Sequence, residues 1–164
     1  MIKHLANPEY LHVLLNPLPI YGLAVALLGL LISLIRPTPN ARVIALALVF
    51  VSSASAWPVY HYGEAASDRV EARADEAGGK WLDEHRSRAE HLIYIFYAVA
   101  VLSAVAIAAE FKLPRSAVPL AIATLILASA NLAAGGYIAY AGGRIQHREL
   151  RFEAPPVSQP SHPD

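Results

Sequence analysis

The sequence predicts an all-α integral membrane protein whose four helices form a bundle across the bilayer. The 164-residue chain is 55% hydrophobic and only 16% charged, which is more apolar than a soluble domain of this length. Its apolar residues are also concentrated in four segments of about 20 residues, the length that an α-helix needs to cross a bilayer. A chain of this size is expected to form one domain.

The four predicted spans contain no Asp, Glu, Lys, Arg or His. They cover residues 18–35, 43–60, 92–109 and 117–141. Helices of a soluble bundle would each carry a polar stripe, whereas the polar residues of these segments are scattered Ser, Thr and Asn131. The polar stretch after Lys3 and the lack of a small-residue cleavage pattern argue against a signal peptide, so we expect the first span to be retained.

Residues 61–91, between the second and third spans, are predicted to form a partly helical extramembrane loop. Residues 64–77 are rich in Ala, Glu and Arg, which favour helix. Gly78 and Gly79 are expected to end that helix. Residues 80–91 should then form a second helix that continues into the third span. The sequence shows no internal repeat beyond two helical pairs.

We predict one transmembrane domain, residues 1–151, followed by a Pro- and Ser-rich tail, residues 152–164, that we expect to be disordered.

With four spans, both termini and the long loop lie on the same side of the membrane, the A side. The other side, the B side, has only the turns 36–42 and 110–116, with four Lys or Arg residues against one acid, Glu110. Because basic residues in short loops mark the cytoplasmic face, we predict that the A side faces the periplasm across a bacterial inner membrane. The total number of basic residues on each side favours the opposite orientation.

All seven histidines lie on the A side of this topology, with all eight tyrosines and both tryptophans. Interfacial preference and the greater length of A-side loops explain part of this asymmetry. Aromatic belts normally form at both interfaces, however, and among aromatic residues the B side has only phenylalanine. We therefore predict a functional pocket at the A-side mouth of the bundle.

Residue chemistry narrows what this pocket could hold. Neutral imidazole is the commonest protein ligand of metals and an axial ligand of haem iron. The chain has no cysteine, which excludes thiolate metal sites, iron–sulfur ligation and covalently attached c-type haem. A nucleophile elbow, a phosphate-binding glycine loop and a basic nucleic-acid patch are all lacking. An electron-transfer or accessory subunit is therefore favoured over a stand-alone enzyme.

Small residues of the fourth span allow two interpretations. The stretch "NLAAGGYIAYAGG" leaves one helix face nearly free of side chains. Such a face accommodates a flat macrocycle, but it also permits close helix packing in membranes, which is the more common reason. Gly142 and Gly143 are predicted to end the helix.

Four short motifs resemble a known group of proteins. They are "LHVLLNPLPIYG" at 11–22, "PVYHYGEAA" at 58–66, "DEHRSRA" at 83–89 and "GGRIQHREL" at 142–150. Together they resemble largely uncharacterised four-helix bacterial membrane proteins related to the domain-of-unknown-function 2231 family, over roughly residues 10–150. The positions that match its pattern are His12, Asn16, Pro19, Gly63, Glu64, His85, Gly142, Gly143, His147 and Glu149.

The resemblance implies a respiratory setting, because relatives of the family are joined to Rieske or cytochrome-type redox domains. This chain departs from the pattern at Pro17, where the family has a second histidine. If that histidine is a ligand, His61 or His91 could replace it.

The resulting hypothesis is a membrane subunit that binds a redox metal centre, with b-type haem (heme b) as the favoured form. It would transfer electrons between a membrane quinone or partner subunit and a redox protein on the outer face. The predicted ligands are, in order of preference, His12, His85 and His147, then His61 and His91. Glu64 could add an oxygen ligand to a metal ion. The side chains predicted to line the pocket are Tyr60, Tyr94, Tyr97 and Tyr140.

Two alternative functions stay open. The chain could be a cofactor-free accessory subunit that scaffolds a larger respiratory or photosynthetic membrane complex. It could also hold a non-haem zinc, copper or iron ion with His and Glu ligands. The sequence contains neither an HExxH motif nor a paired ExxH motif, so it does not indicate which metal this would be.

Overall fold

A computed structural model describes residues 7–36 and 38–156 of the chain. The predicted all-α fold is confirmed: these residues form helices and no strand. The helices combine into four rods, each long and apolar enough to cross a membrane. The rods are Pro8–Ile35, Pro39–Glu71, Glu76–Lys112 and Pro114–Gln146.

Two rods are continuous helices and two are interrupted. The first rod contains α1 (Pro8–Leu15), a π-helical turn (Leu18–Gly22) and α2 (Leu23–Ile35), and the second contains α3 (Pro39–Ala54) and α4 (Ala56–Glu71). The third rod is α5 (Glu76–Lys112). The fourth is α6 (Pro114–Gln146), which is followed by a 3₁₀ turn (Arg148–Leu150).

Both interruptions are caused by proline. A proline has no N–H, and its ring collides with the carbonyl group four residues earlier. Pro19 lies inside the π-helical turn of the first rod, and Pro58 follows the break at Ser55 in the second rod. The Ser55 hydroxyl donates a hydrogen bond to the Ser52 carbonyl at 2.6 Å, within the last turn before the break.

The rods pack in the ring order first, second, third, fourth, so the first and third stand diagonally opposite. Their common core contains fully buried Leu and Val side chains, and buried alanines let the backbones approach closely. The core includes Leu23, Leu30, Leu46, Val49, Val99, Ala106, Ala121 and Ala128. Many outward-facing Leu, Ile and Val side chains are more than half exposed. This apolar exterior is typical of a membrane bundle rather than a soluble one.

The loop at 61–91 is partly helical, as predicted, but its break lies at residues 72–75 because α4 ends at Glu71 and α5 begins at Glu76. The prediction that Gly78 and Gly79 end a helix is wrong, since both lie in the first turn of α5. Asp75 caps this turn by accepting a hydrogen bond from the Gly78 N–H at 2.8 Å. A Cβ atom on Gly78 would lie 2.5 Å from the Ile145 carbonyl oxygen, so glycine permits the close approach of α6.

The predicted tail is only partly described. Residues 152–156 contain no helix, and residues 157–164 lie outside the described residues, so its disorder stays a prediction. His4 and His162 also lie outside the described part of the chain.

Candidate functional site

Two histidines meet inside the A-side end of the bundle. His12 on the first rod and His85 on the third have ring centres 6.4 Å apart and ring planes at 88°. Because these rods are diagonal neighbours, the two imidazoles face each other across the centre of the bundle. Both side chains are partly buried.

Each imidazole is oriented by a backbone carbonyl of the next rod along the chain. His12 Nδ1 lies 2.8 Å from the Val59 oxygen, and His85 Nδ1 lies 3.0 Å from the Ile138 oxygen. A carbonyl oxygen only accepts hydrogen bonds, so Nδ1 must carry the hydrogen in both rings. In the neutral imidazole, Nε2 then keeps a free lone pair on the opposite side of the ring.

Glycines make room for both rings. A Cβ atom on Gly63 would lie 2.9 Å from His12 Nδ1, and one on Gly142 would lie 3.0 Å from His85 Nδ1. Both contacts are tighter than side chains normally tolerate. The prediction that Gly142 and Gly143 end the fourth helix is wrong, because α6 continues to Gln146. Gly142 instead provides the surface against which His85 packs.

The lining positions and histidine contacts of the first and second rods recur at fixed spacings on the third and fourth rods, which indicates a pseudo-two-fold relation between the two halves of the site. Adding 73 to a first-rod residue number gives its third-rod equivalent, as from 12 to 85. Adding 79 relates the second and fourth rods, as from 63 to 142. The equivalent positions that line the site are 9 and 82, 12 and 85, 13 and 86, 16 and 89, 20 and 93, 56 and 135, 59 and 138, 60 and 139, 63 and 142, 64 and 143, 66 and 145, and 67 and 146. Most paired residues differ in type, so the sequence conceals this relation.

Two adjoining cavities surround the histidine pair. The deeper has a volume of about 60 Å³ and apolar walls that include Ile93, Phe96 and Gly135. The second, of about 430 Å³, opens toward the A side. Its volume lies within the range of about 300–1,000 Å³ that is common for small-molecule sites. His12 and His85 border both cavities.

The structure does not bring the other three described histidines to this pair. His147 is exposed at the rim of the larger cavity and contacts Glu149 at 2.9 Å. His61 is exposed and stacks on Trp57, with ring centres 5.8 Å apart. His91 is also exposed, and its Nδ1 atom lies 2.7 Å from a carbonyl oxygen of its own helix.

The carboxylate predicted as a metal ligand has a different partner. Glu64 binds Arg86 through two contacts, of 3.2 and 3.1 Å. Across residues 7–36 and 38–156, no group of three or more His, Asp or Glu side chains is placed to hold a metal ion. Any metal ion held by the histidine pair would therefore have these two imidazoles as its only ligands of this kind from the described residues.

Of the four predicted tyrosines, only Tyr60 lines the cavities. Tyr97 packs beside Ile93 and Phe96 below the site. Tyr94 is 70% exposed and lies edge-on to Tyr97. Tyr140 faces outward, where its hydroxyl donates to Glu153 and the Arg144 guanidinium lies 3.3 Å from its ring centre.

A network of charges fixes the end of the fourth rod next to the site. Arg151 binds Asp75 at 2.8 Å and also donates to the carbonyls of Arg144 and Ile145 in the last turn of α6. Hydrogen bonds from Arg151 and from the Gly78 N–H lower the pKa of Asp75 to about 2. The pKa of Glu149 is also lowered, by its own backbone N–H and by His147.

Sequence reasoning missed the roles of the two carbonyl groups and the two glycines. A histidine on one helix and a glycine on the next, repeated once along the chain, was the available signal. Comparisons of the chain with protein-family models, with curated proteins and with solved structures give no match.

Proposed function

We propose that this protein is a membrane-embedded electron-transfer subunit that binds a redox metal centre, with b-type haem as the favoured form, between His12 and His85. The observation that supports it is the pair of imidazoles held by equivalent contacts across the bundle. With both Nδ1 hydrogens donated to carbonyls, each ring offers an acceptor, Nε2. Two acceptors suit a ligand that takes electron pairs, and a metal ion is the usual one.

The spacing of the rings supports a single metal between them. Because metal–nitrogen bonds are about 2.0–2.1 Å long, two imidazoles with closely spaced ring centres could both reach one metal ion. The ring centres of His12 and His85 are 6.4 Å apart.

The number of ligands favours haem over a bare ion. A structural zinc site needs four protein ligands, whereas a haem macrocycle supplies four nitrogens and needs only one or two axial residues. Small residues on the fourth rod, such as Gly135 and Ala139, leave space beside the histidines. We therefore retain only His12 and His85, and omit His147, His61, His91 and Glu64 as ligands.

The protein's own groups would bind, orient and shield the centre. Carbonyl hydrogen bonds fix each imidazole and make Nε2 a better electron donor. Apolar walls around Phe96 exclude water from the deeper side. When bound, haem iron would exchange single electrons with a quinone or membrane subunit and with a periplasmic redox protein.

Orientation in a bacterial inner membrane, with the A side in the periplasm, belongs to the same proposal. Its support is the excess of basic residues in the two B-side turns. Arg42 and Glu110 bind each other there, and their pairing removes one charge of each sign, so the excess remains.

The test is an absorbance spectrum of the purified full-length chain, oxidised and then reduced with dithionite. We expect an intense Soret band and the sharp visible bands of a six-coordinate b-type centre. A colourless protein that contains no iron and co-purifies with fixed partners would favour the accessory subunit instead. A colourless protein that contains stoichiometric metal would favour the non-haem site.

A further inference from the structure

Among the differences between the two related halves of the site, one introduces an ion pair. Arg86 occupies the third-rod position equivalent to Val13, and Glu64 occupies the second-rod position equivalent to Gly143. Arg86 Nε and Nη2 donate to the two Glu64 carboxylate oxygens at 3.2 and 3.1 Å. Both side chains border the larger cavity at its A-side mouth.

Packing alone does not require this ion pair. The equivalent corner of the bundle is formed by Val13 and Gly143, which carry no charge. The Arg86 and Glu64 side chains are 42% and 38% exposed, and ion pairs of this exposure contribute little to stability. A charged pair at the rim of a cavity, on one side only, therefore points to the ligand rather than to the fold.

Arg86 has the chemistry of a carboxylate anchor. Its planar guanidinium presents parallel N–H donors that match a carboxylate in a bidentate contact. Among the described residues that line the cavities, it is the only Lys or Arg side chain. The other acid at the mouth, Glu9, binds Arg73 outside the cavity, so it does not compete for Arg86. Arg86 follows His85 in the chain, and both residues line the larger cavity together with His12.

We propose that Arg86 is an anion subsite that binds a carboxylate group of the molecule held by His12 and His85. The incoming carboxylate takes the place of Glu64 on the guanidinium, and the Glu64 side chain, still ionised, turns to solvent. This inference rests on the proposed function and narrows its ligand class. The ligand would be a metal-bearing macrocycle with carboxylate substituents directed toward the A side, rather than a bare metal ion.

The test compares two probes that differ only in charge. The full-length apoprotein in detergent is titrated with iron protoporphyrin IX and with its dimethyl ester, whose carboxylates are blocked. Because a charge-assisted hydrogen bond is lost, we expect the ester to bind wild-type protein roughly 10-fold to 100-fold more weakly. Arg86→Gln should weaken protoporphyrin binding to the level of the ester and leave ester binding unchanged. Ester binding by this variant also verifies that it is folded.

Two further variants sharpen the comparison. Arg88→Gln is the matched control, because Arg88 pairs with Glu84 at 2.7 Å on the same helix and lines neither cavity; it should preserve the difference between the probes. Glu64→Gln removes the competing carboxylate and should tighten protoporphyrin binding several-fold by the same charge argument.

The possible failures are distinguishable. If wild-type protein binds the two probes equally, or if Arg86→Gln weakens both to the same degree, the anion subsite is overturned while the histidine pair stands. If neither probe binds with the spectrum of two axial imidazoles, the proposed function and the subsite both fail.

Discussion

The two ends of the bundle treat their polar side chains differently. At the B side, Arg42 and Glu110 form a bidentate ion pair with both side chains less than a tenth exposed, and the second contact measures 2.8 Å. At the A side, His12 and His85 each use Nδ1 to bind a carbonyl, and both residues line the cavities. The B-side charges satisfy each other, whereas the described contacts of the two A-side imidazoles involve only Nδ1 and leave Nε2 as an acceptor.

We infer from this difference that the B-side ion pair serves stability and the A-side pair serves binding. Burying the B-side charges is tolerable because each is fully paired, and the pair ties the second rod to the third. The A-side end contains glycines, proline-induced irregular turns and cavities, which are features that weaken packing. Sites for ligands commonly carry such local costs. The predictions that follow test this division, beginning with the largest effect.

Loss of either central histidine should remove the bound centre. His12→Ala or His85→Ala deletes one of two ligands, and we expect the Soret absorbance per mole of protein to fall to near background. His61→Ala, His91→Ala and His147→Ala serve as controls and should keep the wild-type spectrum. Retention of the centre in both central variants would refute the assignment.

Breaking the B-side ion pair should affect stability rather than binding. Glu110→Gln leaves the Arg42 guanidinium buried without its counter-charge, which we expect to cost about 3–5 kcal/mol of unfolding free energy. Denaturant unfolding in detergent measures it, and Glu76→Gln, in the exposed Lys80–Glu76 pair, should cost less than about 1 kcal/mol. The double variant Arg42→Met/Glu110→Leu should recover most of the loss. Equal costs for the two single variants would mean that the buried pair has no special role.

A methyl group on the supporting glycine should weaken the site. Gly142→Ala places Cβ 3.0 Å from His85 Nδ1, so the ring must shift and its hydrogen bond to the Ile138 carbonyl is strained. We expect haem affinity to fall roughly 10-fold, or about 1.4 kcal/mol. Gly136→Ala is the matched control, because nothing lies within 4 Å of its Cβ position. Identical affinities for the two variants would show that glycine does not position the imidazole.

The smallest effect concerns acid pH and the Asp75 network. Hydrogen bonds from Arg151 and the Gly78 N–H hold the pKa of Asp75 at about 2, below the value of about 3.9 expected for the unfolded chain. Its contribution to stability is therefore complete above about pH 4 and is lost as the pH falls toward about 2. Asp75→Asn should flatten the dependence of the unfolding midpoint on pH in this window. An unchanged slope would show that the ionisation of Asp75 does not contribute to stability in this pH window.

The sequence was sufficient to predict the fold because hydrophobic length is a strong signal. The spans predicted at 18–35 and 92–109 fall inside the rods Pro8–Ile35 and Glu76–Lys112. The rods extend further because their ends are polar and amphipathic, so hydropathy marks only their apolar middle. The prediction that Gly78 ends a helix was wrong for a different reason. A glycine looks the same in the sequence whether it ends a helix or allows another backbone to approach closely.

The site could be predicted only in outline. The sequence places histidines such as His61, His85 and His91 near the A-side ends of helices, but a helix that is apolar on every face gives no periodicity to identify its inward side. His85 faces the bundle centre, and His91, six residues later, faces outward. Only packing against Gly142 and the Ile138 carbonyl distinguishes the first from the second.

The most direct test of the central claim is electron paramagnetic resonance of the oxidised full-length protein, recorded alongside His12→Ala and His85→Ala. Two axial imidazoles on one iron predict a low-spin ferric signal in the wild type. Each variant should lose that signal, either through loss of iron or by conversion to a high-spin form. A wild-type protein that lacks the low-spin signal, or a low-spin signal that persists in both variants, would contradict the account.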